Sequence, residues 1–562
     1  MVLGQIHETW WKNKLKDTRI KLSVLVLLSV ILFSFLSFSD AFAQESIDEF
    51  VTYSKKSNFI KEIPFPNQDL GLRGITTDKN GNAWIYHATQ NTSSIFKFDP
   101  VTEKFSNFDI LKKTNTKDVI VTLSGGHIIY DESRNMMWFT DARTNSIGKF
   151  NIENQQIDMI NIPTENSGPM GLILSPDKSK IWFTELSSDK FASLDIKSNE
   201  IKEYKIKENS GPVFLAFDEK GSLLITLAYS NNVLVIDVAN MQSDTLPNIS
   251  EIGLQKPDFF SPFGIAIFKD SKGVEKLILS DHGSSRVIIS ELDSNLKTYS
   301  SLWTSPNLLY PQTLPSQIDA DESGNIYFAQ HGGNKISKID KSGIITEYDV
   351  PTGPLSTVVY LDASKNGKVW FTEVLANKIG YLDASISVPF DIQVDKEKMD
   401  FTEKETSKQV KVTINNLKNG SDVASLDNIA ISLVGMTDSG LNGISFTATP
   451  SIIDMNQENQ VESILDVSVD KNAKPGTYQV MIKVSASEQT DKTMTISKLY
   501  PLTINVDLPN PIPPPTMEKT GSEFVIKDII QNAAIAAIII LILLLVYNRI
   551  KLARQNKISK QE

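Results

Sequence analysis

The sequence predicts an all-β protein: a seven-bladed β-propeller followed by an immunoglobulin-like β-sandwich, with a signal peptide at one end and one transmembrane helix near the other. Three observations carry this expectation. The phrase "KVWFTEVLANKIGYLDA" (Lys368 to Ala384) has close copies at "KIWFTELSSDKFASLDI" and "MMWFTDARTNSIGKFNI". Beyond the last copy the chain changes to a second, different run of alternating residues. Two long apolar segments stand near its ends.

Aligning the repeated phrase gives seven equivalent segments, with anchors at Trp84, Trp138, Trp182, Leu224, Ile278, Tyr327 and Trp370. Their spacing of 42 to 54 residues suits a unit of four strands plus turns, the size of a propeller blade. Each unit reads as an apolar strand, a turn such as Asp78-Lys79-Asn80-Gly81, the aromatic strand, a polar turn, then a third and often a fourth strand. The seventh unit stops after its third strand, while a spare strand, Asn58 to Pro66, stands before the first. That strand is expected to complete the last blade and close the ring, which protects the sheet edges. Six or eight blades are the alternatives to seven.

From 388 to 508 there are roughly seven alternating runs, among them "KQVKVTINNL" and "GTYQVMIKVSA", the count expected of an immunoglobulin-type sandwich acting as a spacer. The Pro-rich stretch 509–527 reads as a semi-rigid stalk. Residues 528–548 are apolar enough to cross a bilayer, and Arg549, Lys551 and Arg554 follow, so the tail 549–562 is placed in the cytoplasm. A buried soluble helix is the alternative. At the other end a basic lead, an apolar run and Ala41-Phe42-Ala43 have the build of a signal peptide over 1–43, an uncleaved anchor being the alternative. The expected location is the cell membrane, single-pass, with 44–508 outside the cell.

Composition narrows the function. A net charge of -11 without a basic patch argues against nucleic acid as partner. With no cysteine, disulfides, thiol catalysis and thiolate metal sites are excluded. Asn91, Asn248 and Asn419 each begin a glycosylation triplet.

In a propeller the loop into each first strand and the turn after each second strand open on one face. The residue ending the second strand is, around the ring, His87, Asp141, Glu185, Leu227, Asp281, Gln330 and Glu373, and the next position adds His282 and His331. The chain has 5 histidines, and three of them fall at this turn. Imidazole and carboxylate together can hold a divalent ion or move protons near neutral pH. His282, His331 and His87 are therefore the catalytic candidates, and Asp281, His282, His331 and Glu373 the candidate ligands for Mg²⁺ or Ca²⁺. Arg73, Asp141, Glu185 and Gln330 are the candidate ligand contacts. The competing reading is structural, since His and Asp also close tight turns. His127, in a first strand, reads as a satisfied channel residue.

The repeated "WFTE" and the "ANKIGYLD" that follows resemble the streptogramin B lyase (virginiamycin B lyase) family of seven-bladed propellers, from about Ser57 to Ala384. The resemblance implies opening of a cyclic depsipeptide lactone by elimination with Mg²⁺, a carbon-oxygen lyase reaction. It also implies a base histidine just before the Gly of a first strand, in a Pro-His-Gly context, and a metal-holding glutamate after a second strand. The corresponding stretches here include Leu72-Arg73-Gly74, Gly125-Gly126-His127, Pro169-Met170-Gly171, Pro262-Phe263-Gly264 and Pro354-Leu355-Ser356. None is Pro-His-Gly, and His127 is one residue out of register. The expected function is thus binding of an extracellular small molecule, peptide or surface protein at the channel mouth. A metal-dependent lyase or lactone hydrolase is the alternative, and a structural envelope component the third.

Overall fold

The protein is described by a computed structural model that covers residues 55–508, apart from 90–91, 112–124, 239–248, 252–260, 271, 294–297, 305–312, 364–365, 418–422, 435–442 and 456–457. The leader 1–43, the stalk, the apolar segment 528–548, the basic tail and the asparagine of each glycosylation triplet lie outside the described residues. Among the described residues, no helix is long and apolar enough to cross a membrane.

Seven antiparallel four-stranded units follow one another, and their first strands line a central channel. These first strands are Leu72–Thr77, Ile128–Asp131, Pro169–Leu174, Pro212–Phe217, Pro262–Lys269, Pro315–Ala320 and Val358–Ala363, in blades one to seven. All seven anchor residues occupy the same second-strand register: Trp84 faces Thr76, Trp182 faces Ile173, and Trp370 faces Asp362. Trp84, Trp138 and Trp370 are fully buried. Rings of this size bury 150–250 Å² each, roughly 4 to 6 kcal/mol of apolar burial at ~25 cal/mol per Å² as an upper figure. The turn before the second strand is built for this. Asp78 accepts from the Asn80 and Asn82 amides, Gly81 takes φ +78°, and the Trp84 Nε1–H donates to the same carboxylate at 2.9 Å. An aspartate at the turn thus satisfies the one polar atom of the ring it introduces.

The strand Ile60–Pro64 pairs with the third strand of blade seven, Ile60 facing Leu382 and Pro64 facing Lys378, so the start of the described chain supplies the outer strand of the last blade.

A row of hydroxyls links the blades. In the repeated "WFT" the threonine side chain reaches the first strand of the next blade: Thr140 donates to the Met170 carbonyl at 2.9 Å, Thr184 to Val213 at 2.6 Å and Thr226 to Phe263 at 2.8 Å. Ser280 does the same to Ser316 at 2.7 Å, and in blade six, where alanine replaces threonine, Ser316 itself donates to Val359 at 3.0 Å. Each of the first four also accepts from an amide of its own blade, Thr184 from Gly171 within the first strand and Thr140 from Gly126 and His127 just before it. Thr184→Val leaves two buried backbone groups without their partner and is expected to cost about 2 kcal/mol. Chemical denaturation at fixed pH measures it.

The C-terminal residues form two sheets around a shared core. One consists of Phe390–Val394, Ser407–Asn416, Gln460–Val469 and Ile444–Thr449. The other is built on the long hairpin Gly476–Glu488 and Thr495–Asp507, with Ala424–Val434 beside it and Lys398–Thr402 pairing in parallel with the last strand. This second sheet is continuous with blade six. Ile345 pairs with Leu499 and Tyr348 with Ile496, so the outer strand of the blade, Ile345–Asp349, has a partner on both sides. The hairpin end also grips the closing strand: Glu488 accepts from Ser57 Oγ at 2.9 Å and from the Asn58 amide at 2.6 Å, and Thr490 bonds the Asn58 side chain. One apolar cluster runs from Phe59, Tyr348 and Val350 into Ile392, Val412 and Ile482.

Candidate functional site

The upper face is the one where the loop into each first strand meets the turn after each second strand. Backbone bonds join the two: Leu186 N–H donates to Gly168, Ala228 to Gly211, and His282 to Ser261. The seven second-strand end residues occupy one register, six of them opposite the first residue of their first strand and Asp141 opposite Ser146 of its third.

These side chains, read from the sequence as a ring of ligand contacts, are enclosed by the protein around them. His87, Asp141, Glu185, Asp281, Gln330 and Glu373 are all buried, each on the face of its second strand opposite to that of the residue before it. Asp141 closes its own turn, accepting from the Arg143 amide at 2.9 Å and the Thr144 amide at 3.1 Å, with Ser93 of blade one at 3.3 Å. Asp281 accepts from the amides of Ser261 and Ser284 and from the Ser284 hydroxyl, and burial pushes its carboxyl up. His87 Nε2 lies 2.9 Å from the Asp69 carbonyl, and its ring stacks on Phe65. Arg73 is buried too, its Nη1 donating to the Leu72 carbonyl at 3.0 Å.

Three of the blades share a polar cluster that the repeat phrase does not announce. In blade three, Lys190 Nζ bonds Glu203 at 3.0 Å and the Thr164 amide donates to Glu203 at 3.0 Å, while Glu185 stands beside them. In blade seven the same places hold Lys378, Glu62 and Thr352, around Glu373. In blade six Gln330 replaces the glutamate and donates to Glu347 at 2.8 Å. Burial, with the nearby Glu203 charge adding to it, pushes Glu185 up to about 7. Glu373 is driven well above the usual carboxylate range, first by burial and then by Glu62, and neither of its oxygens makes a hydrogen bond of normal geometry.

The structure does bring two histidines together. His282 and His331 stack at 5.7 Å between ring centres, and Phe263 lies 5.3 Å from His282. His282 Nδ1–H donates to the Pro315 carbonyl at 3.2 Å, which leaves Nε2 as the acceptor nitrogen. Burial, helped by His282, holds His331 down to about 4, and burial lowers His282 as well. Both are neutral at pH 7. A divalent ion does not fit the proposed donors: the Asp281 oxygens are taken up by its turn, and Glu373 is enclosed in blade seven. Among the described residues no three His, Asp or Glu side chains are grouped to hold a metal.

The first strands show what fills the channel. A bulge follows the first residue of six of them, after which the register is common to all seven. In that register the glycine place is kept by Gly74, Gly171 and Gly264 but taken by His127, Phe214, Gln317 and Tyr360. These four meet across the channel, with His127 edge-on to Phe214 at 5.2 Å, Phe214 at 6.4 Å from Tyr360, and His127 Nε2 at 3.2 Å from Gln317 Nε2. In blade seven the corresponding stretch is Val358-Val359-Tyr360, because Val358 pairs with Glu373. Pro354-Leu355-Ser356 lies outside the strand, its first two residues in the short 3-10 turn Gly353–Leu355.

Comparison with known proteins follows this geometry. Residues 58–272 match the model of the virginiamycin B lyase family. The propeller is virginiamycin B lyase-like. The match spans the closing strand, blades one to four and the first strand of blade five. No curated protein matches. Among solved structures, a streptogramin B lyase is 24% identical with a TM-score of 0.47, covering 58% of this chain and 97% of its own. A virginiamycin B lyase from Staphylococcus aureus is 21% identical with a TM-score of 0.47, covering 57% and 98%. The hydrazine synthase of Kuenenia stuttgartiensis is 12% identical with a TM-score of 0.41, covering 56% and 96%.

In the common register, the position just before the virginiamycin B lyase glycine holds Arg73, Gly126, Met170, Val213, Phe263, Ser316 and Val359. No histidine stands there in any blade, and His127 sits at the glycine place itself. Sequence reading missed the plug and the threonine links. The signal for the links was the constant threonine of "WFT"; the signal for the plug was the loss of glycine in four of the seven first strands.

Proposed function

We propose that this chain is a membrane-anchored extracytoplasmic binding protein on a lyase-like propeller, which takes an apolar or aromatic group of an extracellular small molecule, peptide or surface protein at its upper mouth. The observation that supports this reading is the occupancy of the base position, where Met170, Val213, Phe263 and Val359 are apolar, Arg73, Gly126 and Ser316 fill the other three places, and no histidine stands. Leu70, Tyr229 and Leu375 are exposed at turns of the same face. Apolar walls with few polar groups suit binding more than proton transfer. On this reading the C-terminal sheets are an immunoglobulin-type sandwich that serves as spacer, and 509–548 is stalk and anchor.

The test is to incubate the full chain, in detergent micelles, with a streptogramin B-type cyclic depsipeptide and Mg²⁺. The expected result is an intact lactone. Chromatography must follow it, because ring opening by elimination leaves the mass unchanged. Turnover that chelation abolishes would refute the proposal. Millimolar Mg²⁺ or Ca²⁺ is likewise expected to leave the melting temperature unchanged, since a ligand that binds only the folded state would raise it.

A second reading keeps a catalytic role for the stacked histidines, favoured by the acceptor nitrogen of His282 beside His331. It requires lactone hydrolysis without a metal, lost in His282→Ala while the melting temperature is kept.

A further inference from the structure

Below the plug the channel opens into a cavity of about 410 Å³. Alternation along the first strands puts the side chain two residues past the glycine place on its wall. Blades six and seven contribute Asp319 and Asp362, and next to them in blades five and four Ala266 and Ala216 leave the space that larger side chains would fill. Ile129 and Ile173 complete an apolar side. The cavity adjoins a second one of about 370 Å³, with Thr76, Tyr130, Ala320 and Asp362 common to both, lined further down by Asp78, Lys79, Glu132 and Lys178.

The two carboxyls stand close enough to interact directly. Asp319 accepts from the Ala320 and Ala363 amides, each at 2.8 Å, and Asp362 accepts from Thr77 Oγ1 at 2.7 Å. Burial raises both above the usual range, and the Asp362 charge raises Asp319 further, so the pair gives up its last proton at a higher pH than free carboxyls do. Nothing in the turnover or binding chemistry of the upper mouth uses them.

The opposite end of the cavity has one donor too many. The Leu172 amide donates to His127 Nδ1 at 3.2 Å, and the Leu361 amide donates to Gln317 Oε1 at 3.1 Å. His127 is neutral, held down to about 4 by burial, so its single N–H is then at Nε2. That N–H faces the Gln317 amide N–H₂ group at 3.2 Å, donor against donor. Turning the glutamine over only moves the conflict to the Leu361 amide, because the chain of four groups has a donor at each end. An acceptor atom below the two, on the cavity side, resolves it. Gln317 is 9% exposed and lines the cavity, so the acceptor has to come from within it, as a ligand atom or a water held there.

We propose that the lower channel is a binding site for a small zwitterion of amino-acid type, its carboxylate accepting from His127 and Gln317 and its ammonium donating to the Asp319 and Asp362 pair. Residues 317 and 319 lie two apart on one strand, about 7 Å, a span that an α-amino acid bridges. The apolar wall of Ile129, Ile173, Ala216 and Ala266 receives the side chain. This site is separate from the upper mouth and stands whether or not that mouth binds a ligand.

The experiment is calorimetric titration of the full chain in detergent micelles with each of the twenty standard L-amino acids at millimolar concentration. Saturable binding of at least one is expected. Asp362→Asn, which keeps the shape and the Thr77 bond, is expected to weaken it roughly tenfold or more. Ala266→Leu, which fills the cavity without touching a polar group, is expected to abolish it, and the melting temperature of each variant reports that it folds. The amine lacking the carboxylate of the best binder is expected to bind at least about tenfold more weakly. Absence of binding by all twenty, binding that survives Ala266→Leu, or an amine as tight as its parent would each overturn the proposal.

Discussion

Glu185→Gln and Glu373→Gln stabilise the protein, and the gain grows as pH rises from about 5 to about 8. Both carboxyls are buried and raised, Glu185 to about 7 and Glu373 well above its ordinary value. In the unfolded chain each ionises near 4.5. Between the two pKa values the unfolded state releases a proton that the folded state keeps, so stability falls through that window and stays low above it. For Glu185 the window of about 2.5 pH units corresponds to about 3 kcal/mol at its alkaline end. Glutamine removes the ionisation but keeps an N–H₂ donor for the neighbouring glutamate. Blade six already uses this arrangement, with Gln330 donating to Glu347. Urea unfolding at the two pH values measures the difference, and an equal effect at both would show that ionisation is not involved.

Ending the chain at residue 386 is expected to yield aggregated or unfolded protein rather than an isolated propeller. The cut uncovers the outer strand of blade six along its whole length, an open edge that invites pairing with other chains. It also exposes Tyr348 and Val350 and removes Glu488 from the closing strand. Leu499→Ala tests the same junction in the intact chain. Leu499 is fully buried against Ile345 and Met481, and its truncation is expected to cost about 2 to 5 kcal/mol. Size-exclusion chromatography reads the first outcome and denaturation the second. A soluble, monomeric propeller from the truncated chain would show that the C-terminal sheets add nothing to the propeller's fold beyond spacing it from the membrane.

The junction was not legible in the sequence. "IITEYDV" and "YPLTINV" read as two strands about 150 residues apart, and the residues that pair with blade six, Ile496 to Leu499, lie just before the second of them. Strand pairing is made by backbone groups, which every residue carries, so partner choice leaves almost no trace in side chains. The blades are the opposite case. Trp, Phe, Thr and a polar end residue recur because each blade packs on its neighbour through the same interface, and a repeated interface demands a repeated sequence.

The site divides in the same way. The register of the second-strand ends was readable, since all seven residues taken to be equivalent are so. Their burial was not, because it depends on what packs over each end residue once the ring is closed. The glutamate of "WFTE" looked like one member of a ligand ring and proves to be an interior acid beside a lysine and a second glutamate. His282 and His331 came together as neighbouring blades predict, but without the carboxylates that would make a metal site.

What the sequence determined by itself is the all-β propeller with its repeat, and the absence of the lyase base motif, because both depend on residue types at fixed spacing. What only the tertiary structure decided is the burial of the carboxylates, the plug of His127, Phe214, Gln317 and Tyr360, and the lower cavity with its acid pair. Those arise where seven distant strands meet on one axis. Periodicity along the chain places a residue on its own strand, but only closure of the ring decides what faces it across the channel.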